Sequence, residues 1–252
     1  MRELSLGVAF LAPVLLLSAA SLDEWKQVRV VTVGIDLHHV QGIDIEGNTF
    51  WISSVDRVGK KGWLTKLERS SGRVLAQVEV QDGKRFHPGG IALDGNSLWV
   101  PVAEYDQDGP TTVQRRDKTT LALQASFEVQ DHIGCIAAGS AFLVGGSWGS
   151  RTIYSWRKDG QELSRKANPH RTAWQDLKMS GDLLMASGIL SPEKTGAVEW
   201  LKFPSLELVR RLDTGRTDRG VPFGHEGMAW HNGRLFLLPE DNPTRLFEFS
   251  EK

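Results

Sequence analysis

Residues 87–102 read HPGGIALDGNSLWVPV, and residues 39–54 read HVQGIDIEGNTFWISS. Each has a histidine, a glycine three positions on, a short apolar run, a Gly-Asn turn and a second apolar run carrying tryptophan. Three more segments follow the plan: HIGCIAAGSAFLVGGS from His132, AWQDLKMSGDLLMASG from Ala173 and GHEGMAWHNGRLFLLPE from Gly224. Aligned on Gly42, Gly90, Cys135, Asp176 and Gly227, the units are spaced by 48, 45, 41 and 51 residues. That is close to the period of a four-stranded propeller blade, about 40–45 residues.

The remainder of each unit agrees. A third strand follows as WLTKLER, TTVQRRD, TIYSWRKDG, GAVEWLKF and TRLFEFS, and a fourth as VLAQVEV, LQASFEV, QELSRKA and LELVRRL. The fifth unit reaches Lys252 without a fourth strand, whereas QVRVVTVG at 27–34 alternates apolar and polar residues ahead of the first unit. Pairing that segment with LFEFS closes the ring and covers two open strand edges. The sequence therefore predicts an all-β, five-bladed β-propeller over residues 21–252, its last blade closed by the N-terminal strand.

Composition supports this. Twenty-six glycines and nine tryptophans, without long helix-forming runs, suit strands and tight turns. A net charge of −1 gives no electrostatic reason to hold nucleic acid or anionic lipid. In residues 1–20, MRELSLGVAFLAPVLLLSAA, Arg2 precedes an apolar stretch from Leu6 to Leu17 and the small residues Ser18-Ala19-Ala20. This predicts a cleavable signal peptide and a secreted or periplasmic mature chain. The apolar stretch is short and holds Pro13, so no stable membrane anchor is expected. The single cysteine, Cys135, excludes an intramolecular disulfide. A monomer is expected.

In a propeller the first strand of each blade lines the axis, and alternation points residues three and one before the anchor the same way. Three before stand His39, His87, His132, Ala173 and Gly224; one before stand Gln41, Gly89, Gly134, Gln175 and Glu226. The expected axial mouth thus carries three histidines above two glutamines and a glutamate, with His225 one step off. Three imidazoles and a carboxylate (His39, His87, His132, Glu226) suit zinc, iron or copper, whereas Glu226 with amide oxygens suits calcium. A ligand pocket without metal and a merely hydrated polar channel are the alternatives.

Loops opening on the same face bring Asp56, Arg57 and Lys60; Glu104, Tyr105, Asp106 and Asp108; Trp148 and Arg151; Glu193; and Glu240, Asp241 and Arg245. Trp148, within GSWGS, is placed to stack on a sugar or flat ligand, while Trp51 and Trp99 recur at one strand position as core residues. Gln41, Gln175, Asp176, Trp148, Arg151 and Glu240 are the ligand-binding candidates. Cys135 near His132 raises a Cys/His nucleophile, against the ordinary role of a small buried hydrophobe. A phosphate-binding glycine loop and an H-E-x-x-H pair are absent from the sequence.

Val40-Gln41-Gly42-Ile43, Glu226-Gly227-Met228-Ala229-Trp230, Arg234-Leu235-Phe236 and Leu246-Phe247-Glu248 resemble the T-Q-G-L, N-G-I-A-Y, R-L-F and L-F-E of the glutamine cyclotransferase (plant-type glutaminyl cyclase) family. Those are secreted or periplasmic five-bladed propellers, and the resemblance implies that fold and a cyclase-like site. The family's acid, in F-G-E-G-I, corresponds to Gly89 here; its N-E-L to Gln175-Asp176-Leu177; its last-blade lysine to Glu240. A divergent relative lacking the catalytic acid is expected. Gly224-His225-Glu226-Gly227 also resembles the E-G-P segment of gluconolactonase-like calcium propellers, which implies Glu226 as a metal ligand, though Met228 replaces the proline and those proteins have six blades.

The functional expectation is a small polar ligand at the axial mouth. If the protein is an enzyme, metal-assisted hydrolysis or a lactonase- or cyclase-like reaction follows, with Glu226 and His225 as catalytic groups, the three histidines as ligands or proton carriers, and Gln41 and Gln175 orienting. A non-catalytic module for glycans or peptides is the rival.

Overall fold

The structure, a computed structural model, describes residues 20–252; the expected signal peptide lies outside the described residues except for Ala20. Blade 1 consists of His39–Glu46, Thr49–Asp56, Lys61–Glu68 and Val74–Glu79, paired antiparallel in chain order. Blade 3 (Ile133–Ala138, Phe142–Ser147, Thr152–Arg157, Glu162–Ala167) and blade 4 (Thr172–Ser180, Leu183–Leu190, Thr195–Lys202, Glu207–Gly215) repeat that order. In blade 2 the innermost strand is split into Arg85–Pro88 and Ala92–Asp94, both against Ser97–Glu104, with Thr111–Asp117 and Leu123–Val129 outside.

Blade 5 holds Glu226–His231, Arg234–Pro239 and Arg245–Ser250, and its outer strand is the N-terminal Lys26–Thr32. Lys26 lies opposite Ser250 and Thr32 opposite Arg245, which is the closure that the alternating segment at 27–34 predicts. The fold is thus an all-β, five-bladed propeller. One contact lies beyond the prediction: Ala20–Ser21 runs parallel to the outer strand of blade 4, Ala20 opposite Leu212. The N-terminal segment therefore bridges blades 4 and 5.

The blades are held by apolar clusters at their junctions. Met185 and Leu237 meet between blades 4 and 5, Ile52 and Phe236 between 5 and 1, Leu64 and Val100 between 1 and 2, Val113 and Leu143 between 2 and 3, and Val144 and Leu184 between 3 and 4. Each fully buried side chain of this kind contributes about 1.5–3 kcal/mol. Trp51 and Trp99 are core, their indole N–H groups donating to the Lys118 carbonyl and to Asp94.

At the axis the inner strands approach so closely that the anchor positions tolerate no extra bulk. A Cβ on Gly42 would sit 2.5 Å from Gly90 Cα, and one on Gly90 would sit 2.8 Å from the Gln175 carbonyl oxygen. Gly90 donates to the Gly134 carbonyl at 2.9 Å and accepts from Ile136 at 3.1 Å, joining blades 2 and 3. Asp176 joins the others. Its Oδ2 accepts from the backbone N–H of Ile43 and of Met228, each at 3.1 Å, and its Oδ1 accepts from Leu177 N–H at 2.9 Å and Lys178 Nζ at 2.6 Å. Lys178 Nζ also donates to the Ile91 carbonyl at 2.8 Å. These contacts close the axis beneath the mouth.

Asp176→Ala leaves a buried ammonium and three backbone N–H groups without their carboxylate acceptor, so urea unfolding should show a loss of about 3–5 kcal/mol. Gly42→Ala, which drives a methyl into backbone, is expected to be destabilising by the same measurement. Cys135 stands in the same layer, fully buried, its thiol pushed up to about 12 chiefly by burial and then by the Asp176 charge. It does not face His132 as a nucleophile; its Sγ lies 4.0 Å from the Trp174 carbonyl. Native protein should resist iodoacetamide at mildly alkaline pH and take up a single label, read by mass spectrometry, only once unfolded.

Candidate functional site

Above this floor lies a cavity of about 330 Å³, lined by His39, Gln41, His87, His132, Ala173, Gln175 and Glu226 from the inner strands and by Arg57, Tyr105, Trp148, His225 and Glu240 from the loops. The inward phase expected from the sequence is the one observed. Its physical basis is more than alternation. Pairing skips Gln41 in blade 1, Gly134 in blade 3 and Gln175 in blade 4, so each is a β-bulge residue immediately before the anchor. Bulges re-aim side chains and are common beside functional sites. At the equivalent position in blade 2 the strand breaks around Gly89, and in blade 5 Glu226 adopts φ 109°.

Glu226 deserves its strain only if something holds it. A non-glycine residue in that region costs about 1–3 kcal/mol and persists where its surroundings impose it. Here Glu226 pairs with Pro239, and Glu240 N–H donates to the His225 carbonyl at 3.1 Å, which places the side chains of 225, 226 and 240 side by side. The Glu240 turn is fastened from below: Asp241 accepts from Arg219 and from Arg245 Nε, each at 2.8 Å.

The outcome is a compact group of two imidazoles and two carboxylates. His39 Nδ1 lies 2.7 Å from Glu240 Oε1, yet off the direction of a ring N–H, so the atom is buried without a formed hydrogen bond. His225 Nε2 lies 3.1 Å from Glu226 Oε1, which is also 4.0 Å from His39 Nε2. One ligand atom each of His39, Glu226 and Glu240 can be chosen so that all lie within 4.8 Å of one another. Burial, then the nearby Glu240 charge, raises the Glu226 carboxyl well above the usual carboxylate range. Glu240 is lowered, first by its contact with His39. Burial lowers His225.

The opposite wall is aromatic. His87 lies 4.5 Å from Tyr105 and 5.9 Å from Trp148, and His132 lies 4.6 Å from Trp148, ring centre to ring centre. Tyr105 is backed by Phe86 in a stacked pair at 5.9 Å and faced by the Arg57 guanidinium at 5.6 Å. His87 Nδ1 and His132 Nε2 are 3.1 Å apart.

The structure therefore regroups the expected metal set. His87 and His132 engage each other, while His39 and Glu226 join Glu240 and His225, so the three histidines do not share one centre. Gln41, Gln175, Trp148 and Glu240 reach the cavity as expected. Asp176 does not: its carboxylate is fully buried under the floor and both oxygens are taken. Arg151 stands outside the lining and contacts Asp108 at 3.4 Å. Gly89 admits no acid in the place of the cyclotransferase glutamate, because its Cβ would fall 2.1 Å from the Gly134 carbonyl oxygen. The Asp106 carbonyl, which holds His132 Nδ1 at 2.7 Å, has no sequence signal, since any residue supplies one.

Among solved structures the chain is similar to the Pan2 WD40 domain of Neurospora crassa, at 9% identity and TM-score 0.51, over 90% of this chain and 95% of that one. It is also similar to BamB from Moraxella catarrhalis (13% identity, TM-score 0.46, 84% of this chain, 60% of that one). A third likeness is to the Kuenenia stuttgartiensis hydrazine synthase (16% identity, TM-score 0.48, 82% and 57%). Of these only the Pan2 likeness, at TM-score 0.51, bears on the fold, and at 9% identity on nothing else. No curated protein sequence matches. Residues 14–179 match a sequence family throughout, and on that match the chain belongs to the family of unknown function DUF6454.

Proposed function

We propose that the axial cavity binds a small polar ligand and hydrolyses it, as in the opening of a lactone or ester, with a divalent cation held by His39, Glu226 and Glu240 and flanked by His225. The observation that carries this reading is the gathering of those three ligand atoms within 4.8 Å, one of them on a residue strained to φ 109°. The donor set fits a cation. Glu226 is buried and raised in part by the Glu240 charge, a repulsion that a cation between them relieves, and His39 Nδ1 stands 2.7 Å from Glu240 Oε1. Imidazole among the donors favours a zinc-like ion over calcium, which takes oxygen ligands.

Such an ion polarises a carbonyl oxygen. The chain's own residues do the rest. Gln41 and Gln175 present amides for ligand oxygens, the Tyr105–Trp148 wall offers apolar faces, and Arg57 at the rim suits an anionic substituent. The resemblance to cyclotransferases supports a ligand at this mouth but not their acid, since the Gly89 position excludes a side chain.

Dialysed, tag-free protein should take up one zinc ion per chain by calorimetry, and His39→Ala or Glu240→Gln should weaken it by at least about 10–100-fold. A panel of lactones and esters should be hydrolysed, with activity lost on chelation and restored by zinc. Absence of both uptake and turnover would sink the proposal. Uptake without turnover would turn the cavity into a recognition site.

A further inference from the structure

The aromatic wall contains a chain of donors and acceptors whose direction is fixed. His132 Nδ1 lies 2.7 Å from the Asp106 carbonyl oxygen. A carbonyl only accepts, so that nitrogen carries hydrogen and donates. A neutral imidazole has one N–H, so His132 Nε2 is an acceptor, and its partner at 3.1 Å, His87 Nδ1, is the donor. By the same count His87 Nε2 keeps a lone pair. It makes no hydrogen bond among the described residues, it is not sealed within the core, and its ring lines the cavity. Burial lowers both rings below their ordinary value, His87 the further, with the neighbouring His132 the next cause there, while the Asp106 and Glu104 backbone contacts pull His132 back up. Tyr105 and Trp148 hold the His87 plane.

We infer that His87 is the proton acceptor of the cavity, and that His132, fastened to the Asp106 carbonyl, is its positioning residue. This deepens the hydrolytic reading and rests on it. As water oxygen bonds to a ligand carbonyl carbon, its O–H bond breaks and the proton passes to His87 Nε2. As the ester C–O bond breaks, that proton returns to the departing oxygen. The tautomer that makes this possible is set by two hydrogen bonds in which neither Glu226 nor Glu240 takes part.

Protein labelled with ¹⁵N-histidine tests it by multiple-bond proton–nitrogen NMR near neutral pH. Both rings should be neutral with hydrogen on Nδ1. His132→Phe, which removes the acceptor, should let His87 populate the Nε2–H form, and His132→Gln, whose amide oxygen can replace Nε2, should restore the single tautomer. A proton on Nε2 of wild-type His87, a doubly protonated ring, or a tautomer unmoved by His132→Phe overturns the inference. Zinc titration separates the two readings. Unchanged affinity in His87→Gln supports the assignment, whereas a loss of about tenfold or more would make His87 a metal ligand and overturn it. Wild-type protein that binds no zinc defeats the metal reading, while the tautomers still decide this one.

Discussion

The buried carboxylate of Asp176 ties blades 1, 4 and 5 at the axis, and through Lys178 it reaches blade 2. A ring of five sheets packed by side chains needs some device where the sheets come closest, because the approaches at Gly42 and Gly90 leave no room for a Cβ. This protein uses backbone N–H groups converging on one acceptor. The arrangement works against a large desolvation cost: burial pushes the Asp176 carboxyl up to about 6 although Lys178 and two backbone donors pull it down. Charge in the interior is affordable only when fully partnered, and here every oxygen has its donors. The glycines at 42 and 90 follow from the same constraint, since any Cβ would separate the strands that the carboxylate gathers.

Closing the axis makes a cavity out of a channel. The floor fixes the anchors, and the residue before each anchor absorbs the irregularity: a bulge at Gln41, Gly134 and Gln175, a strand break at Gly89, a left-handed backbone at Glu226. The body of the propeller is repetitive while its mouth is not. One side collects carboxylates and imidazoles, the other aromatic rings and a neutral histidine pair. That asymmetry sets the mouth apart from the repeating ring beneath it.

Much of this was legible in the sequence. The spacing of the anchors from Gly42 to Gly227 set the blades, because each blade must return to the axis after four strands of similar length. The alternation at 27–34 identified the closing strand, since an edge left bare in blade 5 had one unassigned match. The positions of His39, His87, His132, Gln41, Gln175 and Glu226 at the mouth followed from blade phase alone. What was hidden is who meets whom. His87 and His132 look equivalent to His39 in the repeat, yet the loop bearing Asp106 captures His132 and leaves His39 to Glu240. Asp176, which matches the acid of the cyclotransferase N-E-L, stood among the ligand candidates, and only the convergence of Ile43 and Met228 on it reveals a structural role.

The sequence by itself determined the number of blades, the closure and which residues face the axis, because these depend on periodicity and burial along the chain. Only the tertiary structure decided that the axis is shut, that Glu226 is strained against Glu240 and His225, and that His87 meets His132 rather than His39. Those are contacts between residues from different blades and from loops of unequal length, and their distances are set by how five sheets pack rather than by any local pattern.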